Sequence, residues 1–458
     1  MTTPTPTSAG QLTPRTGDLR NPSPALVLTA ALLGFALITL DASVVNVALP
    51  SIEDAFGGGL SGLQWVVDAY TLSFAALMLS TGAFADRAGA SRAYAIGIAV
   101  FTAASAVCGL APNLPTLIGS RVLQGVAAAV VLPASLSLVR QAYAEPAKRA
   151  RAVATWAAGG SVAVALGPVA GGALTSLWDW RGIFFINLPL GAVALVLLVR
   201  APRSERRPAP LDLPGQLLAV ITLTAVTFAV IEGGATGVVA LLIALVAGAA
   251  FVRVELRQSH PVVPLSLFRS RTVSVAVAAG AACSVAFFGL VFLFSLFFQQ
   301  VQGRSALYAG LMFLPMTGLI GVTNVVAGKL AARYGARLPM LIGQLLATLG
   351  ALVLLYVDES TPPLLVAWLL VPMALGCALT VPPLTAMMMD AVAAERAGLA
   401  AGVLNSARQV AGGLGIAVFG ALVSEGFTAG LRESLAISAA LFAVTAFLSF
   451  RLADRSAN

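Results

Sequence analysis

The sequence predicts an all-α polytopic membrane protein: fourteen transmembrane helices, two pseudo-symmetric six-helix bundles with two helices between them (6+2+6), and both termini inside. Three observations carry this. The 458 residues are 59% hydrophobic and 10% charged, against roughly 45–50% and about 25% in soluble domains, so there are too few polar side chains to cover a soluble surface. Fourteen apolar runs approach or exceed the roughly 20 residues that a bilayer-crossing helix needs. Lys and Arg gather in alternate loops, as the positive-inside rule requires.

Residues 1–24, rich in Thr, Pro and Ser, read as a disordered cytoplasmic tail. The apolar runs follow at 25–49, 63–84, 93–111, 114–139, 152–176 and 182–199, an N-terminal bundle within 25–200. Two linker helices, 212–231 and 236–252, occupy 201–256, and a cytoplasmic loop spans 257–271. A C-terminal bundle within 272–451 holds runs 272–298, 306–328, 338–356, 364–387, 401–423 and 433–450, before a short tail at 452–458. The first run is long and lacks a small-residue cleavage site after it, so it is a retained helix.

With the N-terminus inside, 22 of the 27 basic residues fall on the cytoplasmic side. Three (Arg181, Arg304, Arg432) fall outside and two (Arg121, Arg408) within spans. The net charge of +8 is thus a topology signal toward the lipid bilayer, and no nucleic-acid partner is implied. Cys108, Cys283 and Cys377 all lie in apolar runs and His260 is the single histidine. A disulfide scaffold, a metal centre and a Ser-His-Asp relay are therefore not expected, nor a cofactor. An intramembrane enzyme would need a polar constellation that is not visible, and no loop is long enough for a signalling domain. The ratio of 25 Arg to 2 Lys suggests a GC-rich bacterial genome, hence a bacterial cell membrane.

An internal repeat supports the two bundles. The loop after the second run reads Gly82-Ala-Phe-Ala-Asp-Arg87-Ala-Gly89, and that after the tenth reads Gly328-Lys-Leu-Ala-Ala-Arg333-Tyr-Gly335, at an offset of 246 residues. Gly167-Pro168 and Gly171 face Gly415 and Gly420 at about the same offset. Parallel six-helix halves that rock about a central site are a transporter architecture, and such pseudo-symmetry lets a monomer suffice.

Several segments resemble motifs of one family. These are Leu40-Asp-Ala-Ser-Val-Val-Asn46-Val-Ala-Leu-Pro50, the stretch Gly82, Asp86, Arg87, Gly89, Arg92 (motif A), and Arg121-Val-Leu-Gln124-Gly125 (motif B). Leu166-Gly167-Pro168-Val-Ala-Gly171-Gly172 is similar to motif C, the antiporter signature, with Ala163 where Gly is usual, and Trp180-Arg-Gly-Ile-Phe-Phe-Ile-Asn187-Leu-Pro189 follows. In order along the chain, they resemble the fourteen-span drug:proton antiporter branch of the major facilitator superfamily. The resemblance implies alternating access, a small-molecule substrate and protons as partners.

Ionisable groups inside a bilayer are costly and point to function. Asp41, Asp68 and Arg121 lie eight, five and seven residues from the outer ends of their runs, roughly 12, 8 and 10 Å at 1.5 Å per residue. They share a depth. One reading is a proton site, with Asp41 the first choice of carrier and, by the resemblance, Asp68 a second carrier or counter-charge and Arg121 a relay. The other is a static ion pair that locks the N-terminal helices. Motif A is either a latch between helix ends or a loop whose charges only set topology. Motif C is a kinked, close-packed seam at the outer end, either a gate or ordinary packing. Glu232 reads as an outer-face interfacial acid. Asn46, Gln124, Asn324, Asn405, Arg408 and Gln409 are candidates to line a substrate path. The phenylalanines from Phe287 to Phe298 suit either core packing or contact with lipophilic cations. The expected function is proton-coupled efflux of small lipophilic compounds, cationic ones among them. A narrower cargo (lipid, siderophore, amino acid) or inward transport on the same fold is the alternative.

Overall fold

The computed structural model describes residues 23–199, 212–258, 261, 263–392 and 397–452, and its regular structure is entirely helical. The first half comprises α1 (Pro24–Phe56), α2 (Gly59–Ala88), α3 (Ala90–Gly109), α4 (Leu114–Ala142), α5 (Pro146–Leu177), α6 (Gly182–Phe185) and α7 (Asn187–Val199). A hairpin follows, α8 (Leu213–Glu232) and α9 (Gly234–Glu255). The second half holds α10 (Arg271–Leu296), α11 (Ala306–Met312), α12 (Leu314–Tyr334), α13 (Arg337–Leu354), α14 (Pro363–Asp390), α15 (Ala397–Ser424) and α16 (Phe427–Arg451). Of the expected terminal tails, residues 1–22 and 453–458 lie outside the described residues, as does His260, while Pro24 already belongs to α1.

Helix ends follow local chemistry. Asn113 and Ser305 cap α4 and α11 by accepting from the N–H of Thr116 and Tyr308, which satisfies donors that the first turn leaves free. Prolines stand in the first turn of α1, α4, α5, α8, α12 and α14, where a missing N–H costs nothing. Two expected runs are broken. Run 182–199 divides at Ile186, just before Pro189, and run 306–328 divides at Phe313, just before Pro315, because proline lacks the donor that would continue the ladder. The ninth run ends in a π-helical turn, Phe297–Val301.

Twelve helices are long and apolar enough to cross a membrane among the described residues. The count of fourteen expected from sequence is not reached on this measure: α2 and the short apolar segment Gly182–Leu198 are not among the twelve. That segment stands at the short end of the lengths that cross a core about 30 Å thick.

The two halves repeat one packing pattern. In the first, α1 packs on α5 and α7, α4 on α2 and α3, and α3 on α7. In the second, α10 packs on α15 and α16, α14 on α12 and α13, and α13 on α16. Gly89 and Gly335, paired by the sequence repeat, close α2 and α12 with the same left-handed φ, 86° and 81°, a conformation that side chains disfavour. The halves meet reciprocally, α2 on α15 and α5 on α11 and α12. The α8–α9 hairpin attaches through α8 to α2 and α15. Gln216 bonds to Ser80 and the Ala76 carbonyl, while Ser61 and Trp65 donate to Glu232.

Taking Pro24 as the near end of α1 and Phe56 as its far end, the halves are sealed at the far face. Gln64 of α2 donates to the Ile416 and Ala417 carbonyls of α15 at 3.3 and 2.7 Å. Ser295 of α10 and Gln299 of the π-helical turn donate to the Asn46 and Val47 carbonyls of α1, both within 2.9 Å. Backbones touch where side chains are missing. A Cβ on Gly172 would lie 2.4 Å from the Ala306 carbonyl oxygen, and one on Gly310 would lie 2.3 Å from that of Pro168. Within the first half, a Cβ on Gly167 would collide with Ser43 and one on Gly171 with the Val44 carbonyl, 2.5 Å away. Gly167, Pro168, Gly171 and Gly172 therefore form one seam, facing α1 on one side and α11 on the other.

Replacing Gly172 with Val wedges that seam. Spin labels at the exposed far-face positions Leu177 and Arg304 should show a longer distance distribution in Gly172→Val than in its Gly172 parent. An unchanged distribution would mean that the seam closes by some other contact.

Candidate functional site: a buried carboxylate cluster, an isolated carboxyl and a central cavity

Asp41 sits in the middle of α1 and is wholly buried. Its carboxylate forms an ion pair with Arg121 of α4 and accepts from Gln124 Nε2 at 3.1 Å and Asn187 Nδ2 at 2.7 Å. Those partners are fixed in turn. Ser105 of α3 accepts from both amides, Arg121 Nε donates to the Val66 carbonyl, and Arg121 Nη1 donates to Gln124 Oε1. The guanidinium also lies 4.4 Å over the ring of Tyr70, a favourable cation–π placement. Tyr70 donates to the Ile38 carbonyl. The cluster joins α1, α2, α3, α4 and α7 inside one half. The ion pair and its hydrogen bonds thus link those five helices.

Asp68, on α2, is equally buried, yet neither carboxyl oxygen has a hydrogen-bond partner. Arg121 reaches Asp41 and leaves Asp68 alone. A Cβ on Gly413 of α15 would lie 3.3 Å from Asp68 Oδ1, so Asp68 faces the other half across the α2–α15 seam, one helical turn from Gln64 and its bonds to α15. The three charges that share a depth in the sequence therefore divide into an ion pair, in which both carboxylate oxygens are bonded while Arg121 Nη2 has no partner, and a lone acid.

Between the halves, on the near side of the seal, lies a cavity of about 300 Å³, at the lower end of small-molecule sites. Its polar lining includes Thr39, Ser161, Ser284, Asn324 and Arg408, and its aromatic lining is Phe35, Phe287 and Phe288. Among the sequence candidates, Asn324 and Arg408 line it. Gln124 belongs to the Asp41 cluster, and Asn46 is buried with its amide turned back on the Ala42 and Ser43 carbonyls. Asn405 and Gln409, on α15, do not line the cavity. Phe292, Phe294, Phe297 and Phe298 are buried in the core near the far face, so only two of the crowded phenylalanines reach the cavity.

At the near ends of α2 and α3, Arg87 and Arg92 are exposed and form no ion pair with a described residue. The Gly82 position has open space around it, and Gly89 turns the chain. The side chain of Asp86 lies outside the described residues. Sequence reasoning did not assign Asn187, Ser105 and Tyr70 to the cluster, nor Phe35, Thr39, Ser161, Cys283, Ser284 and Cys377 to the cavity. Only Asn187 carried a signal, as a carboxamide in the motif that follows Trp180.

Two parallel-paired helical halves with a central cavity and a seal at one face characterise a carrier, and similarity to known proteins gives its family. Residues 31–416 match the Major Facilitator Superfamily. This chain belongs to that superfamily. It is a membrane transporter and not an enzyme. Among superfamily relatives, the multidrug resistance protein Stp of Mycobacterium tuberculosis is 38% identical over 91% of this chain and 79% of its own length. The methylenomycin A resistance protein of Streptomyces coelicolor is 36% identical, covering 89% and 87%. The puromycin resistance protein pur8 of Streptomyces alboniger is 35% identical, covering 88% and 82%. The fold matches an inward-facing, unoccupied bacterial homologue of the human lysosomal transporter Spinster, with a TM-score of 0.68 at 19% identity over 94% of this chain and 96% of that one. A D-xylose–proton symporter matches with the same TM-score at 14% identity, over 93% and 97%.

The cluster and the lone acid should respond oppositely to mutation. Arg121→Met strands a buried carboxylate and should cost about 3–5 kcal/mol. Asp68→Asn removes no bond and should leave stability unchanged or higher. Thermal unfolding in detergent checks this, and equal losses in both variants would contradict the division.

Proposed function

We propose that this transporter is a proton-coupled exporter of small lipophilic compounds, antibiotics among them, acting as a monomer by alternating access in a bacterial cell membrane. The names of its relatives support drug efflux. In this reading α2 and the Gly182–Leu198 segment complete fourteen crossings in a 6+2+6 arrangement, with bundles at 25–200 and 272–451 and the linker helices at 201–256. Both termini are cytoplasmic, as the 22-to-3 bias of basic residues supports. The near face is then the cytoplasm, and the conformation with its far face sealed is inward-facing.

The observation that carries proton coupling is Asp68, buried at the moving seam with no partner. A charged carboxyl without hydrogen bonds costs several kcal/mol in such surroundings, so the seam closes only over the neutral acid. Opening the outer face lets Asp68 meet external water and take up a proton, and closing carries that proton inward. Release on the cytoplasmic side makes the closed seam unfavourable and turns the carrier outward again, with substrate. Each proton entering brings about 2.3 kcal/mol per 100 mV of membrane potential. Asp68 is the carrier in this scheme, in place of Asp41, which acts with Arg121 as the brace that keeps the N-terminal half rigid. Motif A, with Asp86 and Arg87, serves as a cytoplasmic latch for the outward-facing state, and the motif C seam as its external counterpart.

The test is transport in proteoliposomes under an imposed pH gradient, with labelled methylenomycin A and lumenal pH followed together. The unsubstituted protein should move drug and protons in opposite directions. Asp68→Asn should lose proton flux and uphill drug movement while keeping downhill exchange, whereas Asp41→Asn should keep the coupling at reduced yield of folded protein. Intact coupling in Asp68→Asn would remove it as carrier. Lack of proton-linked drug movement without any substitution would remove the efflux reading.

A further inference from the structure

Among the described residues, the central cavity is lined by one permanently charged side chain, Arg408, and by no carboxylate. Arg408 stands 11 residues into α15, about 16 Å along the helix. Charges at such depth are rare and are normally paired. Asp41 has taken Arg121, and the other ion pairs among the described residues join Lys148 to Glu145 and Arg181 to Asp179. Arg408 makes no ion pair there, and its Nε is buried without a hydrogen bond. The titratable groups that face it are the thiols of Cys283 on α10 and Cys377 on α14. The other neighbouring elements present neutral groups to the cavity, Thr39 from α1, Ser161 from α5 and Asn324 from α12.

The stem of Arg408 is held in place. Gly280 of α10 leaves room for it, since a Cβ there would lie 3.1 Å from Arg408 Cγ and 3.3 Å from Cδ. This packing sets Arg408 on the cavity lining together with Phe287 and Phe288. A planar fork of N–H donors matches a carboxylate bidentately, and the phenylalanines suit an apolar body. Repulsion from Arg408, with no acid to offset it, disfavours lipophilic cations.

We propose that the cavity recognises acidic amphiphiles: small apolar molecules bearing one carboxylate, with the acid group on Arg408 and the body against Phe287 and Phe288. This rests on the reading of the cavity as the substrate site and specifies the substrate class. The expectation of cationic cargo gives way to anionic cargo.

The test is equilibrium binding to purified protein in phosphatidylcholine nanodiscs, with three probes sharing one ring system: 1-naphthaleneacetate, its neutral amide and 1-naphthylmethylammonium. The acid should bind at least about tenfold tighter than either, the scale of one charge-assisted hydrogen bond. Arg408→Gln should abolish that preference with little change for the amide, and Arg408→Lys should restore part of it. Equal binding of acid and ammonium by the unsubstituted protein overturns the proposal, whether or not a variant folds. So does an acid preference that survives in Arg408→Gln. An anionic lipid headgroup could use the same guanidinium, so binding is repeated with phosphatidylglycerol added. Loss of acid binding to that lipid, reversed in Arg408→Gln, would assign the site to lipid and overturn the substrate claim. Binding needs no pH gradient, so failure of proton-coupled export would leave the acid preference standing, and export without acid preference would sink only this inference.

Discussion

Inside a bilayer a polar side chain has no water to turn to, so it must find partners within the protein or remain unsatisfied at a cost. That constraint orders the whole molecule. Asp41 meets it completely, through Arg121, Gln124 and Asn187, and in doing so ties five helices of one half into a rigid body. Asp68 and Arg408 do not meet it, and both lie where the halves face each other, one at the seam and one in the cavity. In the proposed cycle the Asp41 carboxylate belongs to the part that stays fixed, and Asp68 and Arg408 lie where the surroundings change, with water, proton or substrate available as partner.

The same constraint shapes the seal. A lipid environment gives little hydrophobic drive for one helix to seek another, so association rests on close backbone approach and a few interhelical hydrogen bonds. Gly172 and Gly310 supply the approach, while Gln64, Ser295 and Gln299 donate to carbonyls across the gap. Such contacts are short-ranged and few. They stand beside one cluster of buried apolar side chains that spans both halves near that face, Val47, Leu63 and Val67 with Phe294, Ile416 and Phe419 among them.

Much of this was legible in the sequence for a specific reason: a charge or carboxamide stands out in an apolar run, and glycine repeats survive as spacing. Asp41, Arg121, Gln124 and motif C could be picked out that way, as could the paired Gly89 and Gly335. What spacing does not carry is azimuth. Asp41 and Asp68 share a depth, but which of them faces Arg121 depends on the rotation of α1 and α2. The run of phenylalanines likewise divides between cavity and core according to rotation about α10. Helix breaks at Ile186 and Phe313 were signalled by Pro189 and Pro315, yet prolines at Pro50, Pro133 and Pro168 sit inside unbroken helices, so proline alone did not decide. Cys283 and Cys377, read only as an absent disulfide, gain meaning once two helices distant in sequence bring them to the same guanidinium.

The glycine contacts and hydrogen bonds of the far-face seal end on main-chain atoms, whereas the cavity is lined by side chains. Substitutions among Phe35, Ser161, Asn324 and Phe288 can therefore accumulate without touching the parts that open and close the carrier. Selection for a new toxin can reshape recognition while the moving framework is inherited intact. A lineage exposed to shifting chemical threats needs that kind of separable evolvability, in which cargo diversifies and mechanics stay constant.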